Sequence, residues 1–94
     1  MTTIQYDHAH HCIVILPSEP PHDEDFELWS TLFLHADEIT IGDFALGADR
    51  HQLRFTYQLE TFNLNFEHYS ESIWISGEGH EANHLLAALA FYLS

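Results

Sequence analysis

Lysine is absent from this chain, and the only residues of fixed positive charge are Arg50 and Arg54. Set against 15 acidic residues, they leave a formal charge of −13. A field of that sign repels phosphate backbones and anionic lipid surfaces, so the sequence predicts neither nucleic-acid nor membrane binding. It favours solubility and basic partners or cations. Cysteine is almost missing as well. Cys12 stands alone, which excludes an intramolecular disulfide and suits a reducing cytoplasm. The longest apolar run, Cys12 to Leu16, falls far short of the ~20 residues of a spanning helix. The opening MTTIQYDHAH has no basic segment followed by an apolar run, so no secretory signal is expected. A G-x-S-x-G motif, a glycine-rich phosphate loop and a basic neighbour for Cys12 are all lacking, which removes the nucleophile and phosphate-cradle readings.

What is present is a strong strand pattern. Apolar residues alternate at Leu53, Phe55, Tyr57 and Leu59, then at Phe62, Leu64 and Phe66. A period of two marks strands with one buried face. A tight turn at Glu60-Thr61 would set Leu59 opposite Phe62, Tyr57 opposite Leu64, Phe55 opposite Phe66 and Arg54 opposite Glu67. A second turn at Ser70-Glu71 would bring Ile75 opposite Phe66, Ile73 opposite His68 and Trp74 opposite Glu67. Upstream, residues 38–46 read as another strand with a parity fault, and a bulge at Gly42-Asp43 repairs it.

Residues 11–16, HCIVIL, are apolar on both faces and read as an interior strand that the three prolines at 17–21 end. A helix is expected from Asp23 to Ala36, with acids in its first turn and a stripe of Phe26, Trp29, Phe33 and Ala36 that Leu28 and Leu32 widen. A final helix is expected from His80 to Leu93, after the Gly77-Glu78-Gly79 break. Together these predict one α+β domain over residues 1–94, with residues 1–10 a flexible arm or edge strand. Its order is β-α-β-β-β-β-α: a four-stranded antiparallel meander plus an N-terminal strand, with two helices on one face.

Two clusters suggest metal chemistry. His80-Glu81-Ala82-Asn83-His84 is an H-E-x-x-H sequence and resembles the zinc-binding core of metallopeptidases. The resemblance implies His80 and His84 as ligands of zinc or another divalent metal, and Glu81 as base. Helical arithmetic weighs against it, because Ala82, Leu85, Leu86, Leu89 and Leu93 form the apolar stripe and leave His80 and His84 towards solvent with Phe91. No His, Asp or Glu follows His84 to serve as a third ligand. The second cluster is Asp7-His8-Ala9-His10-His11-Cys12, where a strand would project His8, His10 and Cys12 to one side. A second cysteine is missing and Cys12 adjoins an apolar run, so a polar terminus leading into a buried strand is the favoured reading. His68 reads as a core or rim histidine.

The outer sheet face is the remaining candidate. It carries Arg54, Glu67, Tyr69 and Trp74, residue types that anchor protein interfaces, and an Arg54–Trp74 stack would cover the ring. Ala87, Ala88 and Phe91 on the last helix offer a contact surface for a homodimer.

The phrases GADRHQLRF and FNLNFEHYSESIWI resemble those of small bacterial α+β domains of unknown function, over most of the chain from the first helix onward. That resemblance brings no activity with it. The sequence therefore predicts a cytoplasmic, non-catalytic protein-binding module, monomeric or homodimeric, with no catalytic residues and no resident cofactor. The alternative is a metal-binding protein or zinc-dependent hydrolase centred on His80 and His84.

Overall fold

Period-two patterning carries more of the chain into strands than into helices, seen in a computed structural model that describes residues 2–94. Strands β1 (Thr2–Asp7), β2 (Cys12–Pro17), β3 (Ile39–Leu46), β4 (Arg50–Tyr57), β5 (Glu60–Glu67) and β6 (Ser72–Gly77) form one antiparallel sheet. Their spatial order is β1-β2-β6-β5-β4-β3. A 3-10 turn at Asp23–Asp25 leads into α1 (Phe26–Phe33), and α2 (His80–His84) and α3 (Leu86–Leu93) follow β6.

The α+β class holds, but among the described residues the sheet has six strands where five were expected. The N-terminal segment pairs with β2 as a full hairpin and becomes an edge, which places the HCIVIL run inside the sheet against β6. Among the described residues there are three α-helices where two were expected, because the last one is interrupted at Leu85. The first stops at Phe33, short of Ala36.

The register of the β4–β5 hairpin also differs. The turn falls at Gln58-Leu59, whose φ angles are 56° and 67°, and not at Glu60-Thr61. Phe55 therefore faces Phe62, Leu53 faces Leu64, and His51 faces Phe66. This register pairs all of Arg50–Tyr57 with all of Glu60–Glu67, whereas the expected one would oppose the start of β4 to the β5–β6 turn. The slip is by an even number of residues, so the side chains that remain in the two strands keep their expected faces, while Leu59 leaves the core for the turn. Between β5 and β6, Phe66 faces Ile73 and Leu64 faces Ile75, so His68 and Tyr69 belong to the turn. In β3 the register shifts between Ile41 and Phe44, where the parity fault lies.

One face of the sheet is covered. Ile13, Ile15, Leu53, Phe55, Phe62, Leu64, Phe66, Ile73 and Ile75 meet Phe26 and Leu34 from the first helical segment and Ala82, Leu86 and Leu89 from the last two helices. Burial of each large side chain contributes roughly 1.5–3 kcal/mol. Phe26 stacks on Phe66 with ring centroids 5.1 Å apart, which fixes α1 over β5. Leu28 and Leu32 do not widen the buried stripe and are 66% and 67% exposed, since the phase set by Phe26, Ser30 and Leu34 turns them outward.

The placement of α2 depends on two glycines. A Cβ at Gly77 would lie 2.9 Å from both Ala82 Cβ and Asn83 Oδ1, so only a residue without a side chain lets the helix sit this close. Gly79, at φ 102°, takes the left-handed turn into the helix.

Candidate functional site

Cross-strand pairing dictates what the uncovered sheet face presents. Reading across the strands, one row runs Gln5, Val14, Trp74, Asn65, Gln52, Ala45. Asn65 is 1% exposed and fully partnered. Its Nδ2 sits 3.1 Å from Ser76 Oγ and 3.2 Å from the carbonyl oxygens of Asn63 and Trp74, and its Oδ1 accepts from Gln52 Nε2 at 2.7 Å. A satisfied amide network of this kind rigidifies the strands beneath Trp74.

The two arginines are used differently from expectation. Arg54 faces Asn63 and reaches Glu78, donating from Nε at 2.8 Å and from Nη2 at 2.6 Å. Asn63 Nδ2 donates to the same carboxylate at 2.8 Å, and these bonds hold Glu78 below the usual carboxylate range. Arg50 instead faces Glu67, and its guanidinium carbon lies 5.2 Å from the centroid of the Trp74 ring. Glu67 accepts from the Ser70 hydroxyl and backbone N–H, which keeps its carboxyl below its ordinary range.

The expected constellation is thus divided. Trp74 faces Asn65 and Val14, not Glu67. Arg50 makes the stack that was expected of Arg54. Tyr69 projects from the β5–β6 turn, 83% exposed, and Trp74 is half-buried instead of uncovered. The β4–β5 register sets Arg50 opposite Glu67, and the β5–β6 register sets Trp74 opposite Asn65.

Beside Trp74 lies a groove of about 450 Å³, lined by Cys12, Val14, Leu16, Pro17 and Pro20 of the β2 side and by Ser70, Glu71 and Ser72 of the β5–β6 turn. Its floor is apolar and its rim is polar and acidic. Pro17 and Pro20 gave a signal in the sequence only as strand breakers; their role as walls depends on the β2–β6 pairing, which strand parity does not fix. Cys12 is half-buried there, and burial, then the charge of Asp7, pushes its thiol up.

A second groove, of about 480 Å³, joins the two histidine clusters. Tyr6, His8 and His11 line it from the β1–β2 hairpin, and His80, Asn83 and His84 line it from α2. The His80 and His84 rings lie 4.2 Å apart between centroids. His8 and Cys12 do not share a strand face, because β1 ends at Asp7 and residues 8–11 form the turn. His10 turns to Asp7, with Nδ1 2.8 Å from Oδ2. Glu81 is exposed and does not line the groove. Among the described residues no three His, Cys, Asp or Glu side chains are already set to hold one ion.

A third group was not recognised in the sequence. His51 is 4% exposed and packs its ring 4.3 Å from that of His68, whose Nδ1 lies 3.0 Å from Asp23 Oδ2. His51 Nδ1 and His68 Nε2 are buried without hydrogen-bond partners. His51 shares the inner face with Leu53 and Phe55, and the β4–β5 register sets it opposite Phe66. Phe26, Phe44 and Phe66 surround the His51 ring at 6.3, 5.8 and 6.2 Å, so it behaves as an aromatic core residue.

No helix among the described residues is long and apolar enough to cross a membrane. No curated protein and no solved structure matches this chain. The family model of DUF3630, a protein family of unknown function, matches residues 1–91, and the chain belongs to that family.

Proposed function

We propose that this chain is a non-catalytic, cytoplasmic protein-binding module that takes a partner segment in the groove beside Trp74. The observation that carries this reading is an apolar groove built around a half-buried tryptophan whose ring is positioned by Arg50. Aromatic and arginine side chains in such pockets are the usual anchors of protein recognition. The partner's chemistry follows from the surroundings. Val14, Leu16, Pro17 and Pro20 call for an apolar anchor, while Glu71 at the rim and the −13 charge favour lysine or arginine beside it. Cys12 supports a binding role over a nucleophilic one, because its raised pKa keeps the thiol protonated at neutral pH. The hydrolase reading is the weaker of the two, since Glu81 stands outside the groove in which its histidines lie. Phe91, 85% exposed on α3, is the surface through which two copies would meet.

Selection of random peptides displayed against the intact protein tests this reading. The expected result is enrichment of peptides with an apolar residue next to Lys or Arg, whose binding is lost in Trp74→Ala and Val14→Asp and kept in Phe91→Ala. Selected peptides that bind Trp74→Ala and Val14→Asp as well as the parent protein would overturn it.

A further inference from the structure

The groove between the β1–β2 turn and α2 collects four of the nine histidines from the two ends of the sequence. The geometry points to a site for one borderline transition-metal ion of the zinc or nickel class, held by His80 and His84 and completed by His8 and His11. It shares no lining residue with the Trp74 groove and stands independently of the partner reading.

His80 and His84 are one helical turn apart, and their rings lie 4.2 Å apart between centroids and tilted by 55°, close enough for both to turn onto one ion. Gly77 and Gly79 hold that pair against the end of β6. Across the groove, His8 and His11 sit at the first and last positions of the turn with ring centroids 6.1 Å apart. His11 adopts φ 50°, and its backbone N–H donates to the His8 carbonyl at 3.4 Å, so the turn itself sets both residues at its ends. His10, the third histidine of that turn, bonds to Asp7 and does not line the groove.

All four ring systems are exposed, so coordination does not require a buried charge, and the site calls for side-chain rotation within the groove that all four residues line. That rotation is needed, because no three of these groups converge in the free protein. Imidazole nitrogen selects zinc, nickel and copper over magnesium and calcium, which prefer oxygen. The large negative charge of the chain raises the local concentration of any cation. A bound ion would tie the β1–β2 edge hairpin to the C-terminal helices, and linkage then raises the unfolding temperature with metal concentration.

Calorimetric titration of untagged full chain with zinc and nickel chloride, alongside thermal unfolding with the same salts, decides the matter. One ion per chain and a rise in melting temperature are expected, with no response to magnesium or calcium. Loss of a ligand should weaken binding by about tenfold or more in His80→Ala, His84→Ala, His8→Ala and His11→Ala, while His22→Ala and His35→Ala, exposed elsewhere, leave it unchanged. Absence of stoichiometric binding overturns the site. So does binding that His8→Ala and His11→Ala leave intact, or that His22→Ala and His35→Ala weaken equally, since either marks capture by scattered imidazoles.

Discussion

The guanidinium carbon of Arg50 lies 5.2 Å from the centroid of the Trp74 ring, and the two residues come from strands that are not neighbours in the sheet. β5 lies between them, and its outward Asn65 and Glu67 are where the two side chains meet. A cation over an indole at a partly exposed site contributes about 0.5–1 kcal/mol. In a Trp29→Phe background that isolates the Trp74 signal, Arg50→Ala is expected to shift emission to longer wavelength, increase acrylamide quenching and destabilise by that amount. Arg54→Ala should leave the emission unmoved, because Arg54 is engaged with Glu78. Equal emission changes in both variants would contradict the assignment.

Leu59 is 99% exposed and holds φ 67° at the tip of the β4–β5 hairpin. Two-residue hairpin turns with positive φ at both positions favour Asn-Gly, and a left-handed backbone costs a branched residue about 1–2 kcal/mol. Relief of that strain exceeds the added chain entropy of glycine, so Leu59→Gly should raise the urea midpoint by roughly 0.5–1 kcal/mol of stability. A lowered midpoint would show that the leucine side chain contributes something its exposure hides.

Gly77→Ala is expected to do the reverse. Its new methyl would meet Ala82 Cβ and Asn83 Oδ1 at 2.9 Å, and the helix must move to admit it. Overpacking of this kind costs about 1–3 kcal/mol. Because α2 carries His80 and His84, the same variant should also weaken any metal response, whereas a change of stability without one would separate the glycine from the histidine pair.

Glu78 is held below its ordinary value of 4.5 by Arg54, then by Asn63. A depressed carboxyl contributes stability that is complete above the unfolded value and is lost as pH falls through the folded one. Wild type should therefore exceed Glu78→Gln in denaturant resistance at pH 7, and the gap should close as pH drops through and below 4.5. The group is exposed, so high salt should narrow the gap as well. A gap that widens on acidification would contradict the sign.

The division between what was legible and what was not follows one physical line. Side-chain period is two, so the faces of β4, β5 and β6 could be read locally, and the buried set of Phe55, Tyr57, Leu64, Phe66 and Ile75 is the expected one. Which residue opposes which depends on where each turn closes, and Leu59 hid the true turn by looking like the last core residue of its strand. From that one slip came the exchange of Arg50 for Arg54 at Trp74. The outward direction of His80, His84 and Phe91 was legible from helical phase and survives the break at Leu85. The placing of His8 and His11 on the same groove as that pair was not, because it depends on β1 folding back as an edge hairpin.

Amide chemical-shift mapping with a peptide selected on the intact protein bears most directly on the partner-binding account. The account predicts that the largest changes fall on Cys12, Val14, Leu16, Ser72 and the Trp74 indole, and that Trp74→Ala abolishes them. Changes confined to the face of Phe91, or to the turn at His8–His11, would contradict it.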